Sequence, residues 1–238
     1  MADVNHIDEH IAKSILEYYV YPDLTGYVVD RPDVQFNYNN RLPSKRAKCD
    51  VGIECVRVGD ERYCHFENDT TKLQLGVKSF TDKDIIRNYH PSKIGNYRLL
   101  HFKDKSTFST LMANLIRNFN NKKNKCNKNS KNYKGYRQKA KEVGLFITLY
   151  FDLKDWQIER VVDYLTVNNK NVFDKIYLFL YSNDKFFALD GNVAFDYQMT
   201  PEQKCEIINK TIENFPVTKR KCKRKRGLRI PMKESGEE

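Results

Sequence analysis

Apolar and polar residues alternate along the chain with two different periods, which predict helices and strands. A period near 3.6 predicts amphipathic helices at residues 8–19, 107–127 and 156–165. Runs of β-branched, aromatic and other apolar residues predict strands at residues 34–36, 50–58, 144–151, 174–181 and 186–189. Thr200 as N-cap and Pro201 at the first helical position predict one more helix.

The order of these elements predicts an α/β fold. Strand, helix and strand follow one another over residues 144–181, which favours a βαβ extension of one sheet over a second domain. We therefore expect one α/β domain over residues 1–218, with residues 63–110 as an insertion of short strands and polar turns. Trp156 and the aromatic residues near it are expected in the core. Residues 219–238, basic at first and acidic at the end, are expected to form a disordered tail.

Composition and charge narrow the classes of function. With 238 residues, 40% of them hydrophobic and 13% aromatic, the chain has enough apolar surface for a globular core. The formal net charge of +11 favours a polyanionic partner, because clustered Lys and Arg displace counterions from phosphates. A basic soluble protein without such a partner is the alternative. No nucleotide-binding GxxxxGK[ST] or GxGxxG loop is present.

The sequence also bears on the location of the protein and on its association with membranes. The first residues lack a secretory signal pattern, and no apolar run is long enough to span a bilayer. The cysteines form no CxxC pair, and in a cytosolic chain they are expected as reduced thiols. We therefore expect a cytoplasmic protein with no membrane partner.

Two acidic residues have positions in the strand pattern that suggest chemistry. Asp33 follows Pro32 at the head of strand 34–36, and Glu54 lies in the middle of the apolar strand 50–58. The segment between them is rich in Asn, Pro, Ser and Lys, which favour turns, so the strands are expected to pair as a hairpin. This pairing would bring both acids to one end of a sheet. A carboxylate in an apolar strand needs a partner, and Mg²⁺, which takes carboxylate, phosphate and water oxygens, is one.

The same residues carry a resemblance to a known family. Pro32-Asp33, a gap, and an apolar strand with the pattern Gly-Ile-Glu-x-Val resemble the restriction-endonuclease-like superfamily, PD-(D/E)XK. The likeness is greatest to a bacterial branch in which Ile-Glu-Val precedes a residue other than Lys. The resemblance implies a mixed central β-sheet flanked by helices, and a nuclease in which Asp33 and Glu54 hold Mg²⁺ or Mn²⁺. The family's lysine, which positions or activates the attacking water, is replaced here by Val56.

The resemblance also implies further site residues. A glutamate of the first helix often lies near the metal in that family, which suggests Glu17 before Glu9, although an ordinary exposed glutamate is the simpler interpretation. Lys122 or Lys125, in the basic stretch into which the end of the helix at 107–127 runs, would replace the lysine missing at Val56. Arg57 is expected on the opposite face of its strand, so it is a poor substitute.

The basic segment at residues 122–141 has two interpretations, phosphate binding and a solvated basic loop, and we favour phosphate binding. The residues expected to contact a nucleic acid are Lys122, Lys123, Lys125, Lys128, Lys131, Lys134 and Arg137.

Three functions follow from these patterns. The leading hypothesis is a metal-dependent nuclease that hydrolyses phosphodiester bonds in DNA. The preference for DNA over RNA comes from the resemblance, and a homodimer is kept as an option. The second is a nucleic-acid-binding module on the same fold that has lost catalysis along with the motif lysine. The third is a protein-interaction factor, for example of a phage or a defence system, whose positive charge serves an acidic protein.

Overall fold

The fold is that of a computed structural model, which describes residues 7–30, 32–44, 47–59, 89–94, 97–102, 107–130, 133–191 and 193–214. The helices of the described part are α1 (Ile7–Tyr19), α2 (Phe108–Asn127), α3 (Asp155–Asn169) and α4 (Pro201–Asn214). Its strands are β1 (Gly26–Val28), β2 (Val34–Phe36), β3 (Cys49–Val58), β4 (Tyr89–Ile94), β5 (Tyr97–Phe102), β6 (Asn129–Ser130), β7 (Tyr133–Lys134), β8 (Ala140–Leu149), β9 (Lys175–Leu180), β10 (Lys185–Asp190) and β11 (Val193–Gln198).

A seven-stranded mixed sheet is the centre of the molecule, with the strand order β1-β2-β3-β8-β9-β10-β11. β3, β8 and β9 are parallel neighbours, whereas the other neighbouring strands are antiparallel. The hairpins β4–β5 and β6–β7 are separate from this sheet. The arrangement confirms the α/β class predicted from the sequence, and the predicted β2–β3 hairpin is present.

Helices cover both faces of the sheet because the strands of its centre are apolar on both sides. On one face, Ile11, Ile15 and Leu16 of α1 and Ile207 of α4 pack with buried residues of β2, β3, β8 and β9. On the other face, buried residues of α2 and α3 pack against alternate residues of β8 and β9. The residues of α2 and α3 in this second cluster are Leu111, Leu115, Phe119, Cys126, Ile158, Val161 and Leu165.

Helix capping explains where two helices begin. Thr107 caps α2, since its hydroxyl accepts a hydrogen bond from the amide of Thr110 at 3.2 Å. Thr200 and Gln203 form a reciprocal capping pair at the start of α4, as the Thr-Pro pattern suggested. Both helix starts therefore follow from local sequence.

Three features differ from the sequence prediction. β8 begins at Ala140 and α3 continues to Asn169, so both are longer than expected. β11 was not predicted; it is a mostly exposed edge strand that pairs antiparallel with β10. Trp156 was expected in the core but is 49% exposed, since it lies in the first turn of α3 and packs edge-on against Phe108.

Other expectations lie mostly or wholly outside the described residues. Most of the insertion expected at residues 63–110 is not described. Within that range the structure describes β4, β5 and the start of α2. The tail at 219–238 is outside the described part as well. No helix among the described residues is long and apolar enough to cross a membrane.

The packing of α2 generates the first prediction. Leu115 is fully buried beneath the helix, whereas its neighbour Ile116 is 37% exposed. Leu115→Ala should lower the free energy of unfolding by about 2–5 kcal/mol, because it removes buried methyl groups and leaves a cavity. Ile116→Ala is the matched control, with an expected loss of about 1 kcal/mol or less. Urea unfolding measures both, and equal losses would contradict this packing of α2 on the sheet.

Candidate functional site

The β2–β3 hairpin places Asp33 beside the middle of β3. Val34 pairs with Ile53, and the carboxylate of Asp33 accepts a hydrogen bond from the Cys55 amide at 2.7 Å. Gly52 makes this approach feasible, because a Cβ atom there would lie 2.7 Å from Pro32 Cγ and 2.7 Å from Ala140 Cβ. The glycine of the Gly-Ile-Glu pattern thus leaves room for the Pro-Asp pair.

Glu54 and Asp33 converge on a single ammonium group. Lys122 of α2 places its Nζ 2.8 Å from Glu54 Oε2 and 3.5 Å from Asp33 Oδ2. The side chain of Glu54 is 2% exposed, whereas those of Asp33 and Lys122 are each 19% exposed. The site is therefore closed at Glu54 and opens to solvent on the side of Asp33 and Lys122.

Burial controls the protonation of this cluster. It raises the pKa of Glu54 to about 7, and Asp33 adds to the rise while Lys122 opposes it. Burial lowers the pKa of Lys122, but the carboxylates of Glu54 and Asp33 outweigh it, so the net direction is upward. Burial and Asp33 also raise the pKa of the neighbouring Cys55 thiol. The lysine keeps its positive charge at neutral pH, while Glu54 is near its midpoint.

Tyr136 completes the wall of the site and was not identified from the sequence. Its ring centroid lies 6.0 Å from Lys122 Nζ, it is 3% exposed, and its side chain lowers the pKa of Glu54. Gly135 positions it, because a Cβ atom there would lie 2.5 Å from the carbonyl oxygen of Cys126 and 2.7 Å from that of Lys128. A glycine followed by an aromatic residue after a helix is too common a pattern to reveal this role.

One oxygen of the cluster lacks a partner. Glu54 Oε1 is buried and has no hydrogen-bond partner among the described residues. An unpaired buried carboxylate oxygen is costly, so it marks a position where a bound cation would be favourable. No group of three or more His, Cys, Asp or Glu side chains in the described part of the chain is placed to hold a metal. Two carboxylates fit Mg²⁺ or Mn²⁺, provided that water and phosphate oxygens supply the remaining ligands.

The other acidic candidate, Glu17, lies elsewhere. Its carboxylate accepts a hydrogen bond from the Gly26 amide at 2.8 Å and pairs with Lys13 Nζ at 2.8 Å. Glu9, at the opposite end of α1, is the one whose charge raises the pKa of Cys55. Along α1 the two glutamates are about 12 Å apart, and Glu17 contacts Lys13 and Gly26.

The positions that follow Glu54 have structural roles. Val56 packs against the core beneath α2 and α3, as its place on the same strand face as Glu54 requires. Arg57 points to the opposite face, where its Nε lies 2.7 Å from Asp8 Oδ2. Arg57 therefore does not reach Asp33 or Glu54 in this arrangement.

The basic residues selected from the sequence have different surroundings. Lys123 donates to the carbonyl oxygen of Asn168 at 3.0 Å, and Arg137 forms an ion pair with Asp174 at 2.9 Å. Arg137 also donates to the carbonyl oxygens of Asn171 and Val172, so both cations have roles within the fold. Lys125, the alternative catalytic lysine, and Lys128 are exposed. Lys131 lies outside the described residues, and Lys134 belongs to β7.

Comparison with protein-family models, curated proteins and solved structures gives no significant match for this chain. The resemblance to the restriction-endonuclease-like superfamily therefore rests on the sequence pattern, above all on the residues of the hairpin.

The raised pKa of Glu54 predicts a specific pH dependence of stability. Between its ordinary value of 4.5 and about 7, the folded chain holds a proton on Glu54 that the unfolded chain has released. The contribution of Glu54 to the free energy of unfolding therefore falls as the pH rises through this window. Glu54→Gln should remove this contribution, and urea unfolding at several pH values measures it. An unchanged pH dependence in Glu54→Gln would contradict the raised pKa.

Proposed function

We propose that this chain is a nuclease that uses a divalent cation to hydrolyse phosphodiester bonds in DNA. The observation that supports it best is the meeting of Asp33, Glu54 and Lys122 at one half-open site, although the three are far apart in sequence. DNA rather than RNA follows from the resemblance to the restriction-endonuclease-like superfamily. Fold-level likeness alone does not establish chemistry, so the proposal depends on this cluster of side chains.

Each residue of the cluster has a role in the proposed reaction. Asp33 and Glu54 would hold the cation, and the unpartnered Oε1 of Glu54 supplies a free ligand atom. When bound, Mg²⁺ or Mn²⁺ polarises the phosphate and lowers the pKa of its water. Lys122 would take the place of the motif lysine that Val56 replaces, because its ammonium reaches the same two carboxylates from α2 instead of from β3.

The position of Lys122 gives it a second effect on the cation. Its ammonium contacts Glu54 Oε2 and Asp33 Oδ2, so a cation held by the same two carboxylates would compete with it. Cation binding would require Lys122 to move toward the open side of the site, where a phosphate would lie. The ammonium lies at the end of a flexible side chain, so it can make this movement without a change in the backbone.

The same ion pair also favours a second function. Lys122 neutralises the buried charge of Glu54 without a metal, as a purely structural pair would. On that interpretation the chain is a nucleic-acid-binding module without catalysis. The two functions differ in whether a divalent cation binds to Asp33 and Glu54.

Cleavage by point variants tests the proposal. Asp33→Asn and Glu54→Gln should each abolish Mg²⁺-dependent cleavage of plasmid and single-stranded DNA, because each removes a charged cation ligand. Glu17→Gln is the matched control and should cleave like the wild type, since its amide can still accept the hydrogen bond from Gly26. Circular dichroism checks that each variant is folded. Equal cleavage by all three variants and the wild type would refute the proposed site.

Cation binding tests the competition by Lys122. Lys122→Met should bind Mn²⁺ several-fold more tightly than the wild type while cleaving DNA at least about tenfold more slowly, since removing the ammonium frees the carboxylates but also removes a catalytic group. Lys210→Met, which changes an exposed lysine of α4 on the opposite face of the sheet, is the control and should change neither quantity. Calorimetric titration without DNA gives the affinity. If neither protein binds Mn²⁺, the structural ion pair is the correct interpretation.

A further inference from the structure

α2 differs in charge from α3, the helix that packs beside it on the same face of the sheet. It contains none of the 31 acidic residues of the chain, and its second half is rich in Asn and Lys. α3, which packs beside it on the same face, carries Asp155, Glu159 and Asp163. An unbroken absence of negative charge on one exposed helix is what a polyanion would require.

Polar residues occur all round the second half of α2, and five of them form a continuous row along one side of the helix. Asn114, Asn118, Asn121, Lys125 and the C-cap residue Lys128 recur at intervals of three or four positions, which places them within about 80° of arc on a helix with 3.6 residues per turn. We call these five residues the polar face of α2. Asn121, Lys125 and Lys128 are exposed, and the other two are half-buried.

Contacts fix this polar face beside the acid pair. At its start, Asn114 donates to the carbonyl oxygen of Gly59 at 3.1 Å, just beyond the end of β3. Further along α2, Lys122 reaches Glu54 in the middle of β3. The opposite flank of the helix faces α3, as the contact from Lys123 to Asn168 requires. The polar face therefore runs along the open side of the site, next to Lys122.

We propose that one strand of a nucleic acid lies along the polar face of α2 and is led by it to Asp33 and Glu54. Lys125 and Lys128 would contact phosphates, and the amides of Asn118 and Asn121 would hydrogen-bond to the strand. From Asn114 to Lys128 the face is about 21 Å long, which matches about six phosphates at the rise of a duplex strand. The inference rests on the proposed function for its substrate, but binding along α2 can be measured without cleavage.

The chemistry of the face distinguishes a nucleic acid from other anionic partners. Carboxamides both donate and accept hydrogen bonds, so they suit base edges and sugars as well as phosphates. An acidic protein would need the lysines but would gain less from a row of amides. The proposed set of nucleic-acid contacts is smaller than the set expected from the sequence. Lys123 and Arg137 are left out because they contact other parts of the protein.

Binding of a labelled 20-nucleotide DNA, single-stranded and duplex, tests the proposal in EDTA with the full chain. Lys125→Gln and Lys128→Gln should each reduce the slope of log affinity against log salt by about 0.7 for the single strand and about 0.9 for the duplex, since each removes one phosphate contact. Asn121→Asp should weaken binding several-fold by repulsion. The basic residues 219–229 are present in every variant, so their contribution cancels in the comparison.

Matched controls lie on α4, on the opposite face of the sheet. Lys210→Gln and Asn209→Asp make the same changes at exposed positions and should leave the affinity and the slope unchanged. Losses in the α2 variants that equal those of the controls would overturn the proposal, as would equal competition by polyglutamate. If the α2 variants bind DNA weakly as expected but the wild type does not cleave, the nuclease proposal fails and the binding surface stands.

Discussion

A buried carboxylate, that of Glu54, is the constraint on which the site depends. It lies in the middle of an apolar strand between β2 and β8, where an unpaired negative charge would be costly. The ammonium of Lys122 at 2.8 Å provides the compensation, and breaking such a buried pair typically costs about 3–5 kcal/mol. The charge of Glu54 in β3 is therefore compensated only while α2 holds Lys122 in this position on the sheet.

At neutral pH the carboxyl group of Glu54 is near the midpoint of its titration, and one of its oxygens is still available to a ligand. Burial raises the pKa of Glu54 to about 7, and one of its oxygens has no hydrogen-bond partner among the described residues. A group that only stabilised the fold would be expected to have all its lone pairs satisfied. Perturbed pKa values and unsatisfied polar atoms are concentrated at functional sites, which is why the cluster supports a chemical role.

The hairpin and the helices could be predicted from the sequence because local patterns determine them. Turn-forming residues separate two β-prone runs, and Asp33 and Glu54 come together once those runs pair. Lys122 was one of two lysines considered, and only the rotation of α2 on the sheet distinguishes it from Lys125.

Tyr136 and the surroundings of Glu17 could not be predicted because they depend on contacts between distant segments. Gly135 fits against the carbonyl oxygens at the end of α2, and no local pattern reveals that approach. The sequence favoured Glu17 over Glu9, but in the fold Glu17 contacts Gly26 while the charge of Glu9 acts on Cys55, beside Glu54. The edge strand β11 was missed although Val193, Phe195 and Tyr197 recur at every second position, the period typical of a strand.

In the proposed site, Asp33 and Glu54 together would bind one divalent cation in place of the Lys122 ammonium. Anomalous scattering from crystals grown with Mn²⁺ would locate that ion directly. We expect a single peak about 2.1 Å from an oxygen of each carboxylate, with Lys122 Nζ moved away from Glu54. Crystals that contain Mn²⁺ elsewhere but keep Lys122 bonded to both acids, with no peak between them, would contradict it.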